Sequence, residues 1–264
     1  MLNPYASDRF RKGPGMIDAI LFDLADTLLN FDELRPRRLF SEAAKDSYRY
    51  LKGLGFSLPD FKAYSRAYLW AFGRRIFWSS IRNRDYDCIN VMVAVLKQLN
   101  IRLSEDEYRT TAWTWYESAA RRSHVDRGTH RVLGHLRRQG IKMAIISNTL
   151  VPACCLDRHL KGEGLLEFFP IRIYSSAVRY KKPHPAIFRM ALEELKVRPE
   201  RAIFVGDSLK RDIRGAQRAG LAAIWKTGGR QIKAGGCGAD GIIQHIGDLP
   251  HILTEFGVRE WSAA

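Results

Sequence analysis

The sequence predicts an α/β fold: a parallel sheet covered by helices on both faces, with an all-helical lobe inserted after the first strand. Three observations carry this. Residues 16–23 form a short apolar run ending in an acid, the pattern of a buried strand with a polar tip. Residues 33–123 read as helical throughout. From Thr129 onward, strand-like and helix-like segments alternate, which specifies a parallel sheet with helices on its faces.

In chain order, the inserted lobe consists of helices over 34–51, 61–78, 88–99 and 105–120. Asp60 and Ser104 are placed as helix N-caps, and Ser104 with Glu107 fits a capping box. The aromatics Tyr64, Tyr68, Trp70, Phe72, Phe77 and Trp78 read as the core of this bundle rather than as a cofactor box. A helix over 129–139 then ends at Gly140 as its C-cap, before a strand over 141–147. A helix from about 151 precedes a strand over 171–175, and a helix over 185–195 precedes a strand over 202–205. A helix over 211–219 leads to a strand over 221–225, and the last strand covers 241–243. The Gly-rich stretch 227–240 reads as a loop. The expected division is an N-terminal extension over 1–15, a core over 16–30 and 125–250, a helical cap over 31–124, and a C-terminal tail over 251–264.

With 264 residues, 46% of them hydrophobic and 27% charged, the chain has the composition of a folded protein. It contains no run of about 18 apolar residues, so no membrane-spanning helix is predicted and no membrane partner is expected. Residues 1–15 carry Asp8, Arg9, Arg11 and Lys12 but no apolar centre, so no secretory signal is expected there. The four cysteines, Cys88, Cys154, Cys155 and Cys237, are too few and too irregular for a disulfide framework or a zinc site, which fits a reducing cytoplasm. The net charge of +15 suggests anionic partners. It is concentrated in residues 127–233, with 22 basic and 8 acidic residues, against 17 and 12 in residues 30–126. No Lys/Arg run exceeds two, and neither an RNA-binding aromatic signature nor a Cys/His finger is present. Nucleic acid is therefore not expected as a partner, and the surplus reads as a solvated surface.

Ligands of parallel sheets bind beyond the carboxyl ends of the strands. The tips here carry Asp23 with Asp26 and Thr27, Ser147 with Asn148 and Thr149, Lys181 with Lys182, and Asp207 with Ser208 and Asp212. Carboxylates gathered at one spot repel one another and need a cation, and their hard oxygens suit Mg²⁺. A carboxylate held beside Mg²⁺ and a lysine can attack phosphorus and form an aspartyl phosphate. The lysine and a serine hydroxyl would offset charge on the phosphoryl oxygens.

These tips resemble the four motifs of the haloacid dehalogenase-like (HAD) superfamily, in the group with a helical cap inserted after the first motif. The resemblance covers roughly residues 16–250 and implies a Rossmann-like core. Asp23-Leu24-Ala25-Asp26-Thr27 is similar to the family's Asp-x-Asp-x-Thr, with Asp23 at the nucleophile. Ser147, followed by Asn148, matches the strand-end Ser/Thr, and Lys182 in Lys181-Lys182-Pro183-His184-Pro185 matches the lysine before Pro-x-Pro. Gly206-Asp207 with Asp212 matches the Gly-Asp motif and its second acid. The resemblance implies Asp23, Ser147 and Lys182 as catalytic residues and Thr27 and Asn148 as substrate-binding residues. It implies Asp23, the carbonyl of Ala25, Asp207 and Asp212 as Mg²⁺ ligands, and a small phosphorylated molecule as substrate.

The chain departs from the family pattern at Ala25, where family phosphatases usually carry the Asp that protonates the leaving group. Asp26 is one position on and points the other way in an extended segment, so it reads as a turn residue. Three readings follow: a Mg²⁺-dependent phosphohydrolase, a phosphonatase- or dehalogenase-type hydrolase, and a catalytically weak ligand-binding or regulatory protein. A phosphonatase needs a cap lysine, for which Lys45, Lys52 and Lys62 are the candidates. Arg35, Arg37, Arg38, Arg74, Arg75, Arg82 and Arg84 are candidate anion clamps in the cap, which favours a multiply anionic substrate.

Overall fold

The computed structural model describes residues 17–32, 35–82, 85–178, 180–230 and 238–258, over 79–82 by backbone alone. The expectations for the N-terminal extension, Met16, the Arg82 side chain, Arg84, Cys237, part of the Gly-rich loop and the end of the tail lie outside the described residues.

β1 (Ala19–Phe22) is followed by the short β2 (Asn30–Phe31) and by four helices, α1 (Pro36–Gly53), α2 (Phe61–Arg82), α3 (Cys88–Gln98) and α4 (Glu105–Ala120). β3 (Ser123–His124) pairs antiparallel with β2, so one two-stranded ribbon carries the chain into the helical insertion and back. The chain then runs through α5 (Thr129–Arg138), β4 (Lys142–Ser147), α6 (Ala153–Gly162), β5 (Ile171–Tyr174) and α7 (Pro185–Leu195). It finishes with β6 (Ala202–Gly206), α8 (Arg214–Arg218), β7 (Ala222–Lys226), β8 (Gly241–Ile243) and α9 (Leu249–Leu253).

The six longer strands form one parallel sheet in the order β5-β4-β1-β6-β7-β8. β1 is central: Phe22 lies opposite Ile145 of β4 and Val205 of β6. The strand order reverses beside β1, and the crevice at such a switch point is where ligands bind in parallel sheets. Every residue of β1 and β6 is buried, as a sheet covered on both faces requires. Ile20, Phe22, Ile145 and Val205 pack on one face, with Leu133 of α5, Leu156 of α6 and the insertion's Tyr64 and Met92 in the same core. Ala19, Leu21, Ala144 and Phe204 pack on the other face with Ile187 and Phe188 of α7. Burial of each large side chain stabilises the fold by about 1.5–3 kcal/mol.

The predicted capping box of α4 is formed, and Asp60 Oδ1 accepts the N–H of Ala63 at the start of α2. Four expectations change. The β2–β3 ribbon was not predicted, because two residues per strand are too short to show alternation. The helix expected over 211–219 opens instead as a wide turn, Leu209–Ile213, in which the N–H groups of Asp212 and Ile213 both point to the Ser208 carbonyl. The expected tail begins in folded structure: Leu253, Phe256 and Val258 are buried in the core. Of the aromatics read as bundle core, Tyr64 and Tyr68 are buried and Phe72 packs against them, but Trp70, Phe77 and Trp78 are exposed. A helix that is apolar around most of its circumference gives no period from which to choose a face.

Candidate active site

The ends of β1, β4 and β6 deliver Asp23, Ser147 and Asp207 to one edge of the sheet, and all three are buried. Asp23 continues the β1 ladder, its N–H donating to the Val205 carbonyl at 2.9 Å. The wide turn after β6 brings Asp212 back toward the strand tip. Its Oδ2 accepts the Ser208 N–H at 2.8 Å. Gly206 is required here: a Cβ at that position would lie 2.6 Å from the Asp212 Cβ.

Carboxylate oxygens of Asp23, Asp207 and Asp212 all lie within 4.8 Å of one another. Lys182 reaches into this group, donating from Nζ to Asp23 Oδ1 at 2.6 Å and lying 2.8 Å from Asp212 Oδ1. Burial alone would lower the Lys182 pKa, but the Asp212 and Asp23 charges more than offset it and the net shift is upward. Lys182 is therefore an ammonium. Burial pushes the Asp23 carboxyl up to about 7; Lys182 opposes the shift, and the charges of Asp212 and Asp207 add to it. Asp212 Oδ1 is buried and lies against the Lys182 ammonium at 2.8 Å. A closely spaced, buried, all-oxygen triad fits a hard divalent cation.

Around this centre the expected residues divide. Ala25 and Asp26 form the exposed turn beyond β1. Asp26 adopts the left-handed conformation, φ 58°, and its N–H donates to the Leu29 carbonyl at 2.7 Å, as a turn residue's should. Asn148 uses both atoms of its amide on Lys182: Nδ2 donates to the Lys182 carbonyl and Oδ1 accepts the Lys182 N–H, each at 2.8 Å. It clamps the lysine's main chain. Thr27 is fully buried and its hydroxyl has no hydrogen-bond partner among the described residues. Lys181 donates to Asp85 Oδ1 at 3.1 Å, and Ser175 Oγ donates to Asp85 Oδ2 at 2.7 Å. This residue between α2 and α3 therefore joins the insertion to the sheet edge. Among the candidate clamps, Arg35 and Arg38 line a cleft of about 280 Å³ with Arg122, and Arg37 is exposed. Arg74 lines a cleft between α2 and α3, and Arg75 stands over the Tyr86 ring.

Sequence reasoning missed two cations. Arg230, after β7, donates to Asp207 Oδ2 at 2.8 Å. Lys226, the last residue of β7, is buried beneath the loop that follows Asp23. Its Nζ donates to the Thr27 carbonyl at 3.0 Å, to the Asp26 carbonyl at 3.3 Å and to Asn30 Oδ1, and pairs with Asp126 Oδ2 at 3.1 Å. Asn30 lies in β2 and Asp126 just after β3, so one ammonium ties the loop after Asp23 to both connections of the insertion. Burial would raise the Asp126 pKa, but Lys226, the Ile246 N–H and His245 more than offset it and leave it lowered. The available signal was a single lysine ending an otherwise apolar strand, at the same sheet edge as the other tips.

The family described as haloacid dehalogenase-like hydrolase matches residues 17–220 of this chain. Protein CbbY of Cereibacter sphaeroides is 30% identical over 236 residues, covering 89% of this chain and 94% of that protein. Phosphoserine phosphatase of Thermus thermophilus is 41% identical over 93 residues, and the matched stretch spans 36% of its length and 35% of this chain. The crystal structure of a HAD phosphatase from Thermococcus onnurineus superposes with a TM-score of 0.58 at 26% identity, over 90% of this chain and 98% of that one.

Proposed function

The chain belongs to the haloacid dehalogenase-like hydrolase family, and from that premise we propose that it is a Mg²⁺-dependent phosphohydrolase acting on a small phosphorylated molecule through phospho-Asp23. The observation that carries this reading is the buried Lys182 ammonium 2.6 Å from Asp23, inside a triad of carboxylates. Asp23 attacks phosphorus, the bond from phosphorus to the leaving oxygen breaks, and an acyl phosphate forms on Asp23. Water then attacks the same phosphorus, the bond to the Asp23 oxygen breaks, inorganic phosphate leaves and the water proton passes to solvent. Lys182 and the Ser147 hydroxyl hold the phosphoryl oxygens. Asn148 fixes Lys182 through its main chain. Asp23, the Ala25 carbonyl and Asp207 would hold Mg²⁺, with Asp212 in contact directly or through water. When bound, the ion neutralises charge on the transferring phosphoryl group. Residues 31–124 act as the cap over this edge, with Asp85 as one of its contacts to the core.

Ala25 supplies no proton to the leaving group, and the loss of a general acid typically costs about 10²–10⁴ in rate. Substrates with good leaving groups, such as acyl phosphates, are therefore favoured over alkyl phosphates. The same residue supports the second reading, a catalytically weak protein that uses the site for binding. A phosphonatase-type reaction finds no support, because Lys45, Lys52 and Lys62 are all exposed, and a Schiff-base lysine is activated by desolvation. The test is hydrolysis of a panel of phosphorylated metabolites with and without Mg²⁺. Mg²⁺-dependent turnover that Asp23→Asn abolishes is expected. A panel with no turnover, alongside tight binding of one of its members, transfers the assignment to the second reading.

A further inference from the structure

α2 carries apolar side chains on two sides, and the fold uses one of them. Tyr64 and Tyr68 are buried in the insertion, whereas Leu69, Trp70 and Phe77 are 54%, 75% and 62% exposed. At 100° per residue, these three fall with Lys62, Arg66 and Arg74 in one arc of roughly 140°, and those three cations are also exposed. The 22 residues of α2 include no Asp or Glu. Among the described residues, the clefts beside the face, whose lining includes Arg66, Arg74, Asn90 and Gln98, contain no acid either. The surface is thus aromatic, aliphatic and basic.

We propose that this face of α2 docks the protein on an anionic phospholipid surface, with Lys62, Arg66 and Arg74 at the phosphates and Leu69, Trp70 and Phe77 at the boundary with the acyl chains. Lys and Arg stems can lie along apolar surface while their cations reach the phosphates, basic residues near an anionic leaflet are attracted to it, and Trp settles at the level of the headgroups. At 1.5 Å per residue, the helix offers about 33 Å of length along the surface. No helix among the described residues is long and apolar enough to cross a membrane, but a helix lying in the interface does not need to be. Charge argues against a second copy of the chain as the occupant. A two-fold contact sets the face against itself, which brings arginines against arginines with no acid on the helix or in its clefts to meet them.

The test is flotation of the full chain with phosphatidylcholine vesicles, with and without phosphatidylserine, alongside light scattering of the free protein. Binding is expected only to the phosphatidylserine vesicles. Arg66→Gln/Arg74→Gln should lower partitioning about 30-fold, at about fivefold for each basic residue near the surface. Trp70→Ser/Phe77→Ser should abolish flotation while leaving the melting temperature unchanged, because both rings already face water. Absence of flotation overturns the proposal, as does flotation that survives Trp70→Ser/Phe77→Ser. A dimer that the same double variant dissolves assigns the face to a second copy and also overturns it. Retention on polyglutamate without vesicle binding overturns it in favour of an acidic protein.

Discussion

Replacing Lys226 with methionine keeps the aliphatic stem of the side chain and removes its ammonium. Lys226 is 1% exposed and its partner Asp126 9%, so the pair is screened little by solvent. Removing one partner of a buried ion pair costs about 3–5 kcal/mol, because the other charge stays buried without it. Asp126 retains the Asn30 Nδ2 donor at 2.8 Å and the Ile246 N–H at 3.2 Å, which places the cost near about 3 kcal/mol. At about 2–4 °C per kcal/mol, the melting temperature should fall by about 6–12 °C. Asp126→Asn in the same background removes the orphaned charge, and the double variant should recover at least about 1 kcal/mol relative to the sum of the single changes. The pair also has a pH signature. The Asp126 pKa is lowered in the folded state, so its contribution is complete above the unfolded value of about 3.9 and is lost as pH falls through the folded pKa. The stability gap between the parent protein and Asp126→Asn, measured by denaturant unfolding, should therefore close below about pH 4. Hydrogen exchange should rise over 24–31 and 123–127 in Lys226→Met. Strictly additive variants, with exchange unchanged in both segments, would refute the reasoning that one ammonium joins the loop after Asp23 to the connections of the insertion.

Three further outcomes are expected. Gly206→Ala drives a Cβ to 2.6 Å from Asp212, so it should cost about 1–3 kcal/mol by overpacking and weaken Mg²⁺ binding in calorimetric titration. Lys182→Ala should reduce turnover far more than Lys181→Ala, since Lys182 touches Asp23 and Lys181 touches Asp85; steady-state kinetics on one substrate compares them. Ala25→Asp should raise the rate on an alkyl phosphate by about 10²-fold or more and change the acyl phosphate rate much less. Equal changes on both substrates would point to an effect on folding or metal binding instead.

The tips that form the site were legible because each is a polar residue ending an apolar strand, and parallel topology places such ends on one edge. Helix α7 runs over Pro185–Leu195 as predicted, with a proline at its start marking the boundary. Local patterns do not show what a side chain reaches across the fold. The amide of Asn148 matches the N–H and C=O of Lys182 brought from 34 residues away, a pairing that no local pattern shows. Lys226 meets Thr27 at a separation of 199 residues, and only the sheet order brings them together. Arg230 and Asp85 were missed for the same reason. The exposed face of α2 was misread because apolar residues on both of its sides conceal which one is buried.

Whether Asp23 carries the phosphoryl group is decided by chemical trapping. The enzyme is mixed with Mg²⁺ and a turned-over substrate, quenched, treated with borohydride and analysed by peptide mass spectrometry. An acyl phosphate on Asp23 is reduced to homoserine at that position, and this is the predicted result. Efficient Mg²⁺-dependent turnover with Asp23 recovered unmodified, or with the reduction found at Asp207 or Asp212 instead, would contradict the account.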